Sequence, residues 1–229
     1  MQKQPSSEPA SSILAPSISI DVGAVSQRRR IVDAMIASCA EKTYAETTIS
    51  DIVSRAKISR TTFYKRFADK RDCFEAAVDS CVEELRAVAR DSFSIADSPA
   101  DAVLKATMGM LELMAAKPPL AHLLAGDAIS VDPAVVERYR GLLIPALEKL
   151  WGRSAEAARP HTDPRLAFGR AQLLILNQVA ADRCDHLPEL LPELVYLALA
   201  PFAGHDEAVR QARLAEAGTN SEVARSGDG

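Results

Sequence analysis

TTISDIVSRAKISRTTFYKRF, residues Thr47 to Phe67, holds two short helical patterns separated by a tight turn. Thr48 is placed to cap the first, and Asp51 three residues on completes an S/T-x-x-D/E capping pattern. Ile49, Ile52 and Ala56 give that helix an apolar side, and it ends near Lys57. Ser59 is placed to cap the second, predicted over 60–67, in which Phe63 and Phe67 lie four apart and face inward beside Ile58. Arg60, Thr61, Thr62, Tyr64, Lys65 and Arg66 remain for the outer side. Cations, hydroxyls and a tyrosine on one short, propped helix are what a helix-turn-helix needs to enter a DNA major groove.

On its N-terminal side, a helix is predicted from Ser26, as N-cap, to about Glu41, with Ile31, Ala34, Met35 and Ser38 on one face. Arg28, Arg29 and Arg30 then fall in its first turn, the wrong end of the helix dipole for cations. Residues 1–23 are rich in Ser, Pro and Ala without helical periodicity and are expected to form a disordered tail. On the C-terminal side, Lys70–Arg71–Asp72 opens a long helix to about Phe93, striped by Phe74, Ala77, Val78, Cys81, Leu85 and Val88. Helix follows helix after that. Ser98–Pro99 opens one to about Lys117, and a short one follows Pro118–Pro119 to about Gly126. Asp132–Pro133 opens one to about Ala157, and Asp163–Pro164 another to about Asp182. The last two are predicted over 189–201 and 205–216, with a second disordered tail from Gly218. There is no alternating strand pattern and no internal repeat. The expected fold is therefore all-α: a tail at 1–23, a three-helix helix-turn-helix domain at 24–72, a helical body at 73–217, and a tail at 218–229.

The charge distribution follows the same division. Residues 24–72 carry 11 Lys/Arg against 6 Asp/Glu, whereas residues 73–229 carry 15 against 23, within a formal net charge of −4. A basic head on an acidic body lets only the head meet a polyanion. The 229 residues are 48% hydrophobic and 25% charged, enough for a sizeable core. No apolar run approaches the roughly 18–20 residues of a membrane span, and no signal-peptide pattern is present, so a cytoplasmic protein is expected. Cys39, Cys73, Cys81 and Cys184 lie scattered in helical text and read as reduced, buried thiols. Cys184–Asp185–His186 is far from a full ligand set, so neither metal nor cofactor is expected. The chain lacks a Gly-rich phosphate loop, G-x-S-x-G and H-E-x-x-H. His122, His161, His186 and His205 sit in separate segments, so no catalytic residue is assigned.

Residues 28–74 resemble the N-terminal domain of the tetracycline-repressor (TetR) family. The likeness rests on Tyr44, Thr48–Ile49, Ile52, Ala56, Ile58–Ser59, Thr62–Phe63–Tyr64, Phe67, Lys70 and Phe74. The family usually has glycine where this chain has Thr43, Lys57 and Thr61, so two turns lose a residue that relieves a left-handed backbone. Ser38 and Cys39 stand where a larger apolar pair is common, which leaves that corner of the head lightly packed.

Side-chain direction assigns Arg60, Thr61 and Lys65 to base edges, where arginine can pair with guanine and a threonine methyl can touch thymine. The resemblance implies that Thr48, Thr62, Tyr64, Arg66 and Lys70 hold the DNA backbone, and hydroxyls and cations suit phosphate oxygens. It also implies homodimerisation through the last two large helices, with Leu166, Leu173, Leu190, Leu194, Leu197 and Ala198 on the seam. A symmetric dimer implies a palindromic double-stranded operator.

The resemblance further implies an effector pocket in the body. Its candidates are Phe93, Met108, Met110, Met114, His122, Leu123, Tyr139, Leu143, Trp151, Gln172 and Asn177. Gln172 and Asn177 would either orient a small molecule or hydrogen-bond across the seam, and a methionine stripe at helical spacing equally suits plain core. The implied function is a transcriptional repressor released from DNA by a small-molecule effector. The alternative is a ligand-independent DNA-binding regulator gated by a protein partner. An enzyme built in the helical body is the poorest reading.

Overall fold

A computed structural model describes residues 22–131, 147 and 163–226 of the chain. The described elements are all helical: α1 (Val22–Lys42), α2 (Ile49–Ala56), α3 (Arg60–Tyr64), α4 (Lys70–Ser94), α5 (Pro99–Ala116), α6 (Pro118–His122), a π-helical turn (Leu123–Asp127), α7 (Ala128–Val131), α8 (Pro164–Ala180), a 3₁₀ turn (Cys184–Leu190), α9 (Leu191–Ala203) and α10 (His205–Ser226). The helix expected over 132–157 lies outside the described residues apart from Leu147, as does the expected tail up to residue 21.

The head is built as its sequence pattern requires. Ile31, Met35, Ile52, Phe63, Phe67 and Phe74 are fully buried where α1 packs on α2 and α4. Thr48 caps α2 in a complete capping box: its hydroxyl accepts from Asp51 N–H, and the Asp51 carboxylate accepts from Thr48 N–H. Ser59 caps α3 by accepting from Thr62 N–H. Regular α3 stops at Tyr64, three residues before its expected end, although Phe67 N–H still bonds Phe63 C=O at 3.0 Å and keeps both phenyl rings in the core.

Two turns keep left-handed backbone without glycine: Lys57, the C-cap of α2, has φ 53°, and Thr43 has φ 80°. The turn geometry has held and the strain is tolerated, at about 1 kcal/mol for each residue. The Ser38 corner is open in another sense, since its buried hydroxyl finds no partner.

The start of α1 corrects one expectation. The helix begins at Val22, so Arg28, Arg29 and Arg30 are its seventh to ninth residues and do not face the positive end of its dipole. Arg28 stacks over the Phe67 ring at 4.8 Å, and Arg29 meets Asp33 at 2.9 Å and Glu84 at 3.7 Å. At the other terminus, α10 runs to Ser226, ten residues past its expected end and into the stretch anticipated as a tail. Its Ala, Glu and Arg content favours helix, and Gly218 costs only about 1 kcal/mol.

The body hangs on α4, whose 25 residues span about 37 Å. The expected boundary at 72/73 falls inside this one continuous helix, so head and body share it. α5 lies against α4 so closely that a Cβ on Gly109 would come within 2.7 Å of Val88 Cγ1. α9 packs on α5, α8 and α10, which buries Leu191, Leu194, Val195, Leu197 and Leu199.

Candidate nucleic-acid interface and effector cavity

On the head, Arg60, Thr61 and Lys65 are exposed, and Tyr64 is 52% exposed with its ring edge-on to buried Phe63. The capped N-terminus of α3 thus carries a cation and hydroxyls on an anchored base. The residues expected at phosphates are more engaged. The Thr48 hydroxyl donates to Asp51 at 2.7 Å, and the Thr62 hydroxyl shares a 2.9 Å hydrogen bond with Ser59. Arg66 is half-buried, donates to Gln27 at 3.3 Å, and holds its Nε–H buried without a partner. Lys42 and the Thr48 groups together hold the Asp51 carboxyl well below the usual carboxylate range, so this acid on the head stays ionised but paired.

Lys70 has a structural role that the sequence reading missed. Its ammonium donates to Tyr44 C=O and Thr47 C=O, both at 2.9 Å, and sits 4.1 Å above the Tyr44 ring. The chain leading into α2 is therefore tied to the start of α4. Tyr44 is held from a second side as well: its N–H donates at 2.9 Å to Asp127 at the end of the π-helical turn. Burial pushes the half-buried Asp127 carboxyl up, partly offset by that same N–H. No motif flagged Asp127, because its partner lies 83 residues away.

In the body a cavity of about 720 Å³ opens between α4, α5, α8 and α9. Of the expected lining, Phe93, Met110, Met114 and Gln172 are on its wall. Met108 faces a smaller cavity of about 240 Å³, Leu123 is buried core, and His122 lies 3.8 Å from Asp182, away from the main cavity. Asn177 is exposed and is not on the wall. Tyr139, Leu143 and Trp151 lie outside the described residues. The sequence reading missed Arg86 and Arg90, which sit with Leu85, Ala89 and Phe93 on the cavity side of α4. Their i, i+4 spacing, beside Leu85, Ala89 and Phe93 at the same repeat, was the available signal. Leu124 and Ala125 of the π-helical turn also line the cavity, three and two residues from Asp127.

The residues expected at a dimer seam divide into two groups. Leu194 and Leu197 are 5% exposed within the single chain and line the cavity with Ala198, because α9 is packed on three sides. Within the single chain Leu194 and Leu197 are therefore interior, and Ala198 is half-buried. Leu190 is half-buried. Leu166 and Leu173 are 67% and 55% exposed, and with Arg170, Asn177 and Ala180 they form one outward stripe along α8.

All four cysteines are free and buried, and burial pushes the Cys39, Cys73 and Cys81 thiols up to about 12. Among the described residues, no three His, Cys, Asp or Glu side chains gather as a metal site, and no helix is long and apolar enough to cross a membrane.

Among the described residues, all elements are helical, with a capped, cation-bearing helix-turn-helix at one end and an apolar cavity at the other. Residues 31–77 match the family model of bacterial regulatory proteins, tetR family. The helix-turn-helix head is thus a TetR-type DNA-binding domain, as found in transcription regulators of that family. No curated protein matches it in sequence. Among solved structures it is similar to the fatty acid degradation regulator FadR from Bacillus halodurans, at 22% identity and TM-score 0.65 over 76% of this chain and 94% of that one. It is also similar to FadR from Bacillus subtilis, solved with stearoyl-CoA, at 17% identity and TM-score 0.63 over 77% of this chain and 98% of that one. A gamma-butyrolactone receptor (ArpA-like protein) shares 20% identity, with TM-score 0.56 over 85% of this chain and 98% of that one. At these identities the likeness is one of fold.

Proposed function

We propose that this chain is a repressor that binds a palindromic operator in the cytoplasm as a homodimer and leaves it when a small molecule fills the body cavity. The observation that carries the reading is the outer side of α3, where Arg60, Thr61 and Lys65 stand exposed on a helix fixed by Ser59, Phe63 and Phe67. Those three side chains read base edges. Thr48, Thr62, Tyr64, Arg66 and the third N–H of Lys70 hold phosphates, with the head spanning about 24–72 and the regulatory body about 73–217. One recognition helix makes few base contacts, so two copies joined through the α8 stripe supply the second half-site.

Effector release has a physical route. Leu124 and Ala125 face the cavity, and Asp127 at the end of the same turn grips Tyr44 in the head. An occupant that moves this turn changes how the head sits on α4, and it acts through its different affinity for the two states. The relatives solved with stearoyl-CoA or named a butyrolactone receptor support an organic effector. Selection of bound duplexes from a random pool, followed by fluorescence anisotropy, tests the DNA reading. A palindromic sequence bound tightly in moderate salt is expected. Recovery of no preferred sequence, with every duplex bound alike, overturns it.

A further inference from the structure

The cavity wall is chemically one-sided. Most of its described lining is aliphatic or aromatic: Leu85, Phe93, Met110, Leu111, Phe168 and Ile175 are representative. The charged groups on that lining are both cations, Arg86 and Arg90, one helical turn apart on α4. No aspartate or glutamate is among the described lining residues. The anion nearest these arginines in the hydrogen-bond network is Glu83, which accepts from Arg90 at 2.8 Å and lies 3.5 Å from Arg86. Among the described residues, one carboxylate against two guanidinium groups leaves a net positive charge at the edge of an apolar chamber. Both arginines remain partly exposed, at 47% and 63% of the side chain, so they stand where a chamber meets water.

Resting on the effector reading above, we propose that the effector is an anionic amphipath: a hydrocarbon body in the apolar chamber, with a carboxylate or phosphate head against Arg86 and Arg90. The planar guanidinium fork pairs with either oxyanion through two parallel N–H donors. A cationic head meets repulsion at this wall. A neutral head leaves the arginines with Glu83 and gains the burial of its chain and at most a neutral hydrogen bond from Thr107 or Gln172. A volume of about 720 Å³ holds a body of drug-like size, and each buried methylene adds about fourfold in affinity until the chamber is full.

Glu83 sets a competition. The ligand head must share or displace the Glu83 carboxylate, whose proton affinity is lowered chiefly by its hydrogen bond from Arg90. Removing that carboxylate therefore strengthens anion binding and leaves neutral ligands unaffected.

The test uses isothermal titration of the full chain with dodecanoate, dodecyl phosphate, dodecanol and dodecyltrimethylammonium, each below its aggregation concentration. The two anions are expected to bind at least tenfold tighter than the alcohol, and the cation weakest. Comparing dodecanoate with dodecyl phosphate identifies which head the arginines prefer. In Arg86→Gln/Arg90→Gln the anions fall to the alcohol's affinity while the alcohol binds as before, which itself reports an intact cavity. Glu83→Gln gains severalfold for the anions alone. An alcohol that binds as tightly as the anions, or an anion advantage that survives the double substitution, overturns the ligand class and leaves the effector reading standing. Failure of all four compounds to bind overturns the ligand class, whereas binding without release of the selected duplex overturns the effector reading with it.

Discussion

Replacing Lys70 with methionine separates a structural lysine from one that only meets phosphate. Methionine keeps most of the apolar stem and removes the ammonium. Two carbonyls, on Tyr44 and Thr47, then lose a donor held at 2.9 Å, and Thr47 is buried. A hydrogen bond to a charged group contributes about 1.5–3 kcal/mol to stability. Lys70 is half-exposed, so water replaces part of each, and a combined loss of about 2 kcal/mol is expected from the low end of that range. With a urea slope of about 2 kcal/mol per molar, the unfolding midpoint should fall by about 1 M in the absence of DNA. DNA affinity should fall as well, equally for all sequences, and the salt slope should flatten by about one unit if the third N–H also meets a phosphate. A midpoint unchanged within error, accompanied by weakened DNA binding, would falsify the structural role and return Lys70 to a purely phosphate-directed lysine.

Other perturbations probe separate parts of the argument. Arg60→Ala should cost about 1–3 kcal/mol of operator binding and relax preference at one base position, read by anisotropy across single-base operator variants; unchanged preference removes Arg60 from the groove. Ser38→Ala removes a buried hydroxyl that has no partner, so the variant should be about 1 kcal/mol more stable in urea, and a loss of stability would reveal a hydrogen bond at that corner. Leu173→Arg places a charge on the exposed α8 stripe; sedimentation should then report monomers, and a dimer that persists would put the seam elsewhere. Asp127 has a raised folded-state pKa, so the stability it contributes is full below the unfolded value and is lost as pH rises through the folded one. Asp127→Asn keeps an acceptor for Tyr44 N–H and does not titrate, so its advantage over the native chain in thermal melts should widen from about pH 4 to pH 7; a constant gap refutes the burial argument.

The head was legible because its determinants are local. Thr48 with Asp51, Ser59 with Thr62, and Phe63 with Phe67 are separated by three or four residues, within reach of one helical turn, and all adopt the expected relations. The Asp–Pro and Ser–Pro pairs likewise marked helix starts at Pro99 and Pro164, because proline fixes φ and lacks the N–H that the first turn cannot use. Helix ends were less legible. Val22 and Ser226 extend beyond the expected limits, since no strong stop signal separates a helix from a favourable flank.

By itself, then, the sequence determined the class of fold and the side chains on the outer side of α3, because caps, apolar spacing and charge clusters act over one or two turns. Only the tertiary structure decided how α9 divides its leucines and where Asn177 and Gln172 point. A helix carries apolar residues on several sides, and its neighbours choose which side becomes chamber, core or exposed stripe. It also decided that Lys70 ties down Tyr44 and that Asp127 reaches Tyr44 from 83 residues away, because a hydrogen bond between distant segments leaves no periodic trace in either. The exposed side of α3 is local physics; the cavity, its two arginines and their connection to the head are products of packing.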